Sequence, residues 1–522
     1  MTRARDLADY ISTGVSDTEL DVLDGVTAGT VTASKALVVD ANKDIASLRN
    51  TTLTGTATIN TLAVDGGTVK LDGNYPTGTD NVALGNTALD DGSLSGGYNT
   101  AVGSGSLSAN TSGQQNASFG AFSLDANTTG SYNAGFGQSS LGSNTTGSNN
   151  TGLGRGALSA NTTADNNTAV GYNALNANTT GTPNTAIGYA ALDANTTGSR
   201  NTGLGVGALG ANTTANDNTA VGYASLLLNT TGQYNTSVGK DALYNSTTAI
   251  YNTATGYQAL KANTTGQYNV AVGGDALVNN TTASNNTAVG VAALYENTTG
   301  ADNVAVGLNA LRYTTTADSN TAVGSRAGQA LTTGLRNTLV GHNAGLALAT
   351  SNSDNVFVGQ GAGSAITTGD ANVIIGRYSG NAGGLDIRTS SNNIVLSDGD
   401  GTPRVHIDSN GKTRAESYAE TSEALSGTTP TVNCNNGNVF TLTTSGNTTF
   451  TFSNPPASGT AYGFTLKLTS GGSHTITYPA SVDFAGGTAP DAPASGETDV
   501  LVFFTVDGGT NWYGALAIDA AG

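Results

Sequence analysis

The sequence predicts an all-β protein: a parallel β-solenoid (β-roll) of about eighteen 17-residue coils, trimeric, with a C-terminal antiparallel β-sandwich. Three observations support it. A unit N-T-A-V-G-x-x-A-L-x-A-N-T-T-G-x-x recurs along most of the 522 residues, 72 residues are glycine, and short alternating apolar segments fill the last fifth. The predicted regions are 1–80 (N-terminal attachment and β-rich region), 81–388 (solenoid), 389–420 (neck) and 421–522 (C-terminal tip domain).

The N-terminal region differs from the repeat. The amphipathic stretch from Asp6 to Ile11 predicts one or two helical turns, for which partner docking and simple capping are equally good interpretations; β-rich alternation follows at 36–40 and 58–62. The basic residues of MTRARDLADYISTG are not followed by an apolar run, and no segment reaches the ~20 apolar residues of a membrane helix. We therefore expect no secretory signal and no membrane insertion.

Each repeat begins with an asparagine, and the spacing is 17 residues except for two steps of 18. The copies begin at Asn81, Asn99, Asn116, Asn133, Asn150, Asn167, Asn184, Asn201, Asn218, Asn235, Asn252, Asn269, Asn286, Asn303, Asn320, Asn337, Asn355 and Asn372. Such a unit is too short for a helical hairpin, and Thr, Val, Asn and Gly disfavour helix. We predict two short strands per unit, T-A-V-G and A-L-x-A, with turns at G-x-x and N-T-T-G.

Stacked coils place like side chains on one another, so the repeated polar and apolar positions predict ladders. The representative ladder residues are Asn167, Asn184, Asn201, Asn218, Gly171, Gly188, Val170 and Leu175. For the asparagines the alternative is glycosylation of the N-T-T sequons, which requires secretion. For the glycines a tight turn or close backbone approach is favoured over a phosphate-binding loop. The alanines at positions 3 and 8 predict a stripe narrow enough for neighbouring chains to approach, so we expect solenoids to associate, three around one axis.

Three late copies depart from the pattern. Glycine replaces leucine at position 9 and an aliphatic residue appears three places later, which predicts a change of cross-section before the solenoid ends. The residues concerned are Gly328, Gly345 and Gly363, with Leu331, Leu348 and Ile366.

The C-terminal region is the one part that can bury a conventional core. The neck predicts paired strands at 393–396 and 404–408, and from about Thr421 several alternating segments separated by turn residues predict the sandwich. Its aromatic residues Tyr462, Tyr478, Trp512 and Tyr513 are interpreted first as core and, where exposed, as candidates for contact with a receptor.

The sequence offers little for catalysis. His342, His406 and His474 have no metal-site spacing, and Asp398 to Gly401 resembles a tight turn more than a calcium loop. No nucleophile or zinc motif is present, and the acidic residues lie mainly beside turns rather than as a carboxylate pair. The net charge of −18 disfavours nucleic acid as a partner. We expect a protein with no enzymatic activity, no cofactor and no metal.

The units Asn167 to Gly171 and Asn303 to Gly307 resemble the head repeats of trimeric autotransporter adhesins, which are trimeric β-rolls, although those coils are shorter by three residues. The expected absence of a signal peptide, a coiled-coil stalk and a membrane barrel separates the chain from that family. Met1 to Ala8 and Glu19 to Ala28 are similar to segments of marine phage fibre proteins, and long N-T-A-V-G arrays also occur in tail fibres. This second resemblance implies an N-terminal attachment region, a shaft and a distal domain that contacts the host.

Together these patterns predict a phage tail fibre: a homotrimer bound to phage tail or adaptor proteins through its N-terminus and to a host surface glycan or protein through its C-terminus. It would be assembled in the host cytoplasm and located on the virion. Two alternatives remain open: a capsid or collar decoration fibre without specific receptor binding, and a bacterial surface adhesin.

Overall fold

The computed structural model describes residues 78–519 apart from 416 and 418. The predictions for residues 1–77, including the amphipathic stretch from Asp6 to Ile11, lie outside the described residues. Within the described part the fold is all-β, with one three-residue 3-10 helix, Ala485–Gly487.

The solenoid has one three-residue strand per repeat, and each strand begins directly after the repeat asparagine. The strands are β1 Val82–Leu84, β2 Thr100–Val102, β3 Ala117–Phe119, β4 Ala134–Phe136, β5 Thr151–Leu153, β6 Thr168–Val170, β7 Thr185–Ile187, β8 Thr202–Leu204, β9 Thr219–Val221, β10 Thr236–Val238, β11 Thr253–Thr255, β12 Val270–Val272, β13 Thr287–Val289, β14 Val304–Val306, β15 Thr321–Val323, β16 Thr338–Val340, β17 Val356–Val358 and β18 Val373–Ile375. Each pairs in parallel with the next, like residue opposite like, as Ala169 lies opposite Ala186. The predicted parallel solenoid is confirmed.

The prediction of a second strand at A-L-x-A is wrong. The chain turns there, because position 7 and position 9 adopt left-handed backbone conformations, as at Asn173 (φ +54°) and Leu175 (φ +50°). The segment is nonetheless bonded to both neighbouring coils. The Asn173 N–H donates to Arg155 O and the Leu175 N–H to Ala191 O, both at 3.0 Å. These bonds offset part of the strain that a left-handed leucine carries.

The glycine at position 5 follows each strand at the sharpest approach between coils. Gly171 has φ +135°. A Cβ placed there would come within 2.5 Å of the carbonyl oxygen of Gly188, which is the position 5 glycine of the next coil. Both the conformation and the space exclude a larger residue. The glycine ladder is therefore a backbone-to-backbone contact.

The interior of the coil is narrow. The alanines at positions 3 and 8 and the leucine at position 9 are fully buried, as at Ala169, Ala174 and Leu175, and they form one continuous core along the stack.

In the late coils the parallel ladder continues in register from Ala322 through Leu339. What changes is the residue that fills the interior. A Cβ at Gly328 would lie 2.7 Å from Leu339 Cδ1, so the larger position 3 side chain occupies the space that leucine leaves at position 9.

Two columns of buried asparagine run beside this core. At position 1 the side-chain oxygen accepts the backbone N–H of the next asparagine, as Asn184 N–H donates to Asn167 Oδ1 at 2.8 Å, while Asn167 Nδ2 donates to Gly181 O at 3.0 Å. At position 12 the amides bond directly, as Asn178 Nδ2 donates to Asn161 Oδ1 at 3.0 Å. The asparagine amides therefore provide hydrogen-bond partners for buried backbone N–H and C=O groups that lie outside the three-residue strands.

The stack ends in antiparallel strands. The strands of this region are β19 Asn381–Ala382, β20 Leu385–Asp386, β21 Ile394–Ser397, β22 Pro403–Ile407 and β23 Thr413–Ala415. β21 adds to β18 in parallel, whereas β22 and β23 follow it in antiparallel pairing. His406 Nε2 lies 3.0 Å from Oδ1 of Asn393, so the imidazole takes the place of the next asparagine at the end of the position 1 column.

The C-terminal domain has a six-stranded sheet covered on one face by two short strand pairs. Its strands are β24 Ser422–Ala424, β25 Thr431–Asn433, β26 Val439–Thr443, β27 Thr448–Thr449, β28 Thr451–Ser453, β29 Tyr462–Thr469, β30 Ile476–Thr477, β31 Val482–Phe484, β32 Thr498–Thr505 and β33 Trp512–Ile518. The sheet order is β24-β26-β29-β32-β33-β31. The pair β25-β28 contributes Val432 and Phe452 to its core, and Phe450, between β27 and β28, adds to it.

The predicted antiparallel arrangement is found in the central strands β29, β32 and β33. The flanking pairs are parallel, a feature that the alternation of the sequence did not indicate. Ser422 pairs with Val439, an offset equal to the repeat length, but these strands belong to the separate six-stranded sheet and β25 lies between them in the chain.

Candidate functional site

The most extended candidate surface is the column of position 4 side chains, which we call the outer stripe. Side chains alternate along a strand, so positions 2 and 4 point outward when position 3 points into the coil. The outer stripe consists of Leu84, Val102, Phe119, Phe136, Leu153, Val170, Ile187, Leu204, Val221, Val238, Thr255, Val272, Val289, Val306, Val323, Val340, Val358, Ile375 and Leu396. All are exposed or half-buried, and Thr255 alone is polar.

The prediction that the alanine stripe faces neighbouring chains is therefore wrong. Ala169 and Ala174 lie inside the coil with no exposed surface, because the narrow interior has room for little more than a methyl group beside each leucine. Position 3 also carries glycine in three copies, at Gly135, Gly152 and Gly203. Because glycine and alanine are the smallest residues, their use at this position could have indicated from the sequence that position 3 faces a tight interior. The large aliphatic residues at position 4 are the ones that a neighbouring surface can contact.

Aromatic side chains accompany the outer stripe in the middle coils. At position 6, directly after the glycine corner, Tyr172 stacks on Tyr189 with ring centroids 5.3 Å apart. At position 17, Tyr251 stacks between Tyr234 at 4.7 Å and Tyr268 at 5.3 Å. Each ring covers the face of the next, so these columns present mainly ring edges to solvent and stabilise the stacking of coils.

The structure separates the four aromatic residues predicted as contact candidates. Trp512 is 1% exposed and belongs to the core. Tyr478 stacks on Phe450 at 5.7 Å, and the Tyr462 hydroxyl donates to Gly437 O at 2.5 Å. Burial raises the pKa of both tyrosine hydroxyls well above the usual value of 10. Only Tyr513 is largely exposed, on the uncovered face of the sheet.

Sequence reasoning missed the neighbours of Tyr513. Phe504 and Val502 are exposed on the same face, whereas Phe503 between them is buried. Two consecutive phenylalanines suggest core for both, but period-two alternation along β32 places the second one outside.

The acidic turn after β21 is held by its own hydrogen bonds. Asp398 Oδ1 accepts the N–H groups of Asp400 and Thr402, and Oδ2 accepts the Arg404 guanidinium at 2.6 and 2.9 Å. These bonds, that from Thr402 foremost, hold the pKa of Asp398 below its usual range. Both carboxylate oxygens are engaged in the turn, which fits the tight-turn interpretation better than the calcium one.

The histidines lie apart. His474 is bonded to Thr444 Oγ1 at 2.7 Å and His406 to Asn393. Across residues 78–519, apart from 416 and 418, no three His, Cys, Asp or Glu side chains are grouped as metal ligands would be. In the same part of the chain, none of the structure is a helix long and apolar enough for a membrane crossing.

Comparison of the chain with family models, with curated proteins and with solved structures finds no match.

Proposed function

We propose that this chain is a structural fibre protein of a bacteriophage virion: a tail fibre that attaches through its N-terminal region, associates with copies of itself and presents its C-terminal domain to the host cell. The nineteen parallel strands support a rod-like solenoid, since steps of ~4.8 Å give roughly 85 Å of constant cross-section. A narrow interior of alanine and leucine favours a scaffold over a catalytic cavity. The segments that resemble phage fibre proteins support the virion assignment.

The observation that carries the proposal is the outer stripe. It exposes on the order of 1,000 Å² of apolar surface in a line that only Thr255 interrupts. This area is more than an isolated soluble chain normally leaves uncovered and is comparable with one side of a stable interface. Its side chains repeat with the spacing of the coils. Another copy of the same solenoid, in the same orientation, has side chains with the same spacing and can therefore contact the outer stripe over its whole length. Three such stripes facing one axis would bury all of them.

Association through the outer stripe is tested with charge substitutions. In the double variant Val272→Glu and Val289→Glu, we expect sedimentation analysis to show the full chain shifting from a trimer toward monomers, because burying unpaired carboxylates at an apolar contact is unfavourable. The matched control is Thr265→Glu and Thr282→Glu, two exposed residues at position 14 of neighbouring coils. Monomeric parent protein, or equal dissociation in both double variants, would reject the outer stripe as the contact.

Location on the virion is tested independently. Antibodies against the full chain should label tails in electron micrographs of particles produced by the genome that encodes it, and the purified chain should compete with phage adsorption. Labelling of the capsid or collar without competition would favour the decoration fibre. Labelling of bacterial surfaces in the absence of particles would favour the adhesin.

A further inference from the structure

The uncovered face of the C-terminal sheet carries a row of four residues on adjacent strands. In the register of the sheet Gly463 lies opposite Phe504, Phe504 opposite Tyr513, and Tyr513 opposite Asp483. Directly paired residues point to the same face, so all four positions face solvent together. Phe504 is 45% exposed and Tyr513 54% exposed.

The glycine in this row lies directly beside the phenyl ring of Phe504. A Cβ at Gly463 would be 3.8 Å from Phe504 Cδ2, an ordinary van der Waals contact, so the ring lies beside the position where a side chain would stand. Because glycine carries no side chain, nothing at position 463 covers that side of the ring. Phe504 and Tyr513 are thus two exposed aromatic residues on adjacent strands, which we call the platform. They differ from the tyrosine columns of the solenoid, where each ring covers the next.

Polar groups flank the platform on both sides. Beyond Gly463 there is a shallow depression of about 220 Å³, lined by Glu420, Asn438, Thr465 and Val502 among others. On the opposite side the exposed Asp483 closes the row. Carboxylates accept hydrogen bonds from vicinal hydroxyl groups, and an aromatic face packs against the C–H face of a pyranose ring.

We infer that this platform binds a neutral oligosaccharide, with hexose rings stacked on Phe504 and Tyr513 and hydroxyls toward its two ends directed to Glu420 and Asp483. The two carboxylates and the acidity of the whole chain disfavour uronic acids, sialic acids and phosphorylated sugars. The exposed apolar surface of this face is roughly 400 Å², about half of what each partner contributes to a stable protein–protein interface. A second protein chain is therefore the weaker candidate occupant.

The inference rests on the proposed host contact, so the test separates the two. Full-length chain is applied to immobilised neutral polysaccharides (dextran, mannan and galactan), to alginate and a sialylated glycan, and to intact host cells. We expect binding to at least one neutral polymer, weakened about tenfold or more in Phe504→Ala and in Tyr513→Ala. Ile518→Ala, which removes an exposed side chain of the same sheet outside the row, should bind as the parent does. Near-ultraviolet circular dichroism of the buried Trp512 checks that each variant keeps its fold.

Four outcomes would overturn the inference. If the chain adheres to cells and both aromatic variants adhere equally well, the platform is wrong while the host-contact function stands. Binding to the acidic polymers alone would reject the neutral ligand. If the aromatic substitutions change the sedimentation of the chain and leave glycan binding intact, the face is a contact between copies. A chain that binds neither cells nor glycans would reject both the platform and the host contact.

Discussion

Gly273 and Gly274 are adjacent in the sequence but differ completely in their surroundings, so they provide a test of the stacked-coil structure. Gly273 is the position 5 glycine of its coil, with φ +135°, and a Cβ there would lie 2.6 Å from the carbonyl oxygen and 2.7 Å from the carbonyl carbon of Gly290. Gly274 has an ordinary φ, and a Cβ there would meet nothing within 4 Å.

The expected effect of Gly273→Ala follows from two contributions. A non-glycine residue in this backbone region is strained by about 1–3 kcal/mol. The contact with Gly290 adds to this, because the next coil cannot easily move away. Its Gly290 N–H is bonded to Val272 O at 2.7 Å, and Val289 pairs with Val272 in the ladder. We expect Gly273→Ala to lower the free energy of unfolding by about 3 kcal/mol or more. Gly274→Ala should be neutral or stabilising by up to about 1 kcal/mol, since alanine restricts the unfolded chain.

The measurement is urea unfolding of the full chain followed by far-ultraviolet circular dichroism, with the two variants compared under identical conditions. A defect in the middle of a stacked array also weakens the coupling between its halves, so Gly273→Ala should broaden or split the transition. Equal stability of the two variants would refute the assigned register of neighbouring coils.

Two further predictions concern buried polar groups. Asn201→Ala leaves the buried N–H of Asn218 without its partner and removes one of the two amide donors to the Ala215 carbonyl, which keeps Asn212 Nδ2. We therefore expect a loss of about 2–4 kcal/mol in the free energy of unfolding and faster hydrogen exchange at Asn218. Burial, and secondarily the charge of Arg414, lowers the pKa of His406 below 6.5. The imidazole therefore binds a proton less readily in the folded chain than in the unfolded chain. The free energy of unfolding that depends on neutral His406 should be fully present above pH 6.5 and decrease as the pH falls below it. In H406Q the melting temperature should change less between about pH 7 and 5.5, a range above the titration of the carboxylates; an unchanged pH profile would contradict this role.

The sequence predicted the solenoid because its period is nearly invariant. Every copy begins with asparagine, and every strand begins one residue later, so the register was readable from spacing alone. The left-handed conformation at Leu175 was not readable, because leucine rarely adopts it and only the bonds to the neighbouring coils sustain it. In the C-terminal domain alternation predicted that strands exist, but the parallel pairing of β24, β26 and β29 depends on long-range contacts that alternation does not encode.

The candidate surfaces were harder to predict, because the hydrophobicity of a residue does not indicate whether its side chain points into the core or toward solvent. Val170 and Leu175 look equivalent in the repeat, yet one lies on the outer stripe and the other in the core. The same ambiguity hid Phe504 beside the buried Phe503. For Val170 and Phe504 the deciding information is which strand positions face inward, and this requires knowing one inward residue first. Leu175 lies in a turn, where the left-handed backbone decides its direction.

The distribution of large and small side chains leaves the larger aliphatic residues of this narrow solenoid available for the proposed association between copies. A coil that fills its centre with alanine and one leucine gains little from hydrophobic burial, so its backbone bonds and asparagine columns must account for most of the stacking. The larger aliphatic residues are then free to point outward, as Ile187 and Val272 do. If they were needed inside, their loss to glutamate would unfold the chain; if they serve assembly, the glutamate variants remain folded rods that no longer associate. That difference, visible as unchanged circular dichroism with altered sedimentation, distinguishes a solenoid that folds alone from one that folds only when it associates with other copies, as the proposed fibre would.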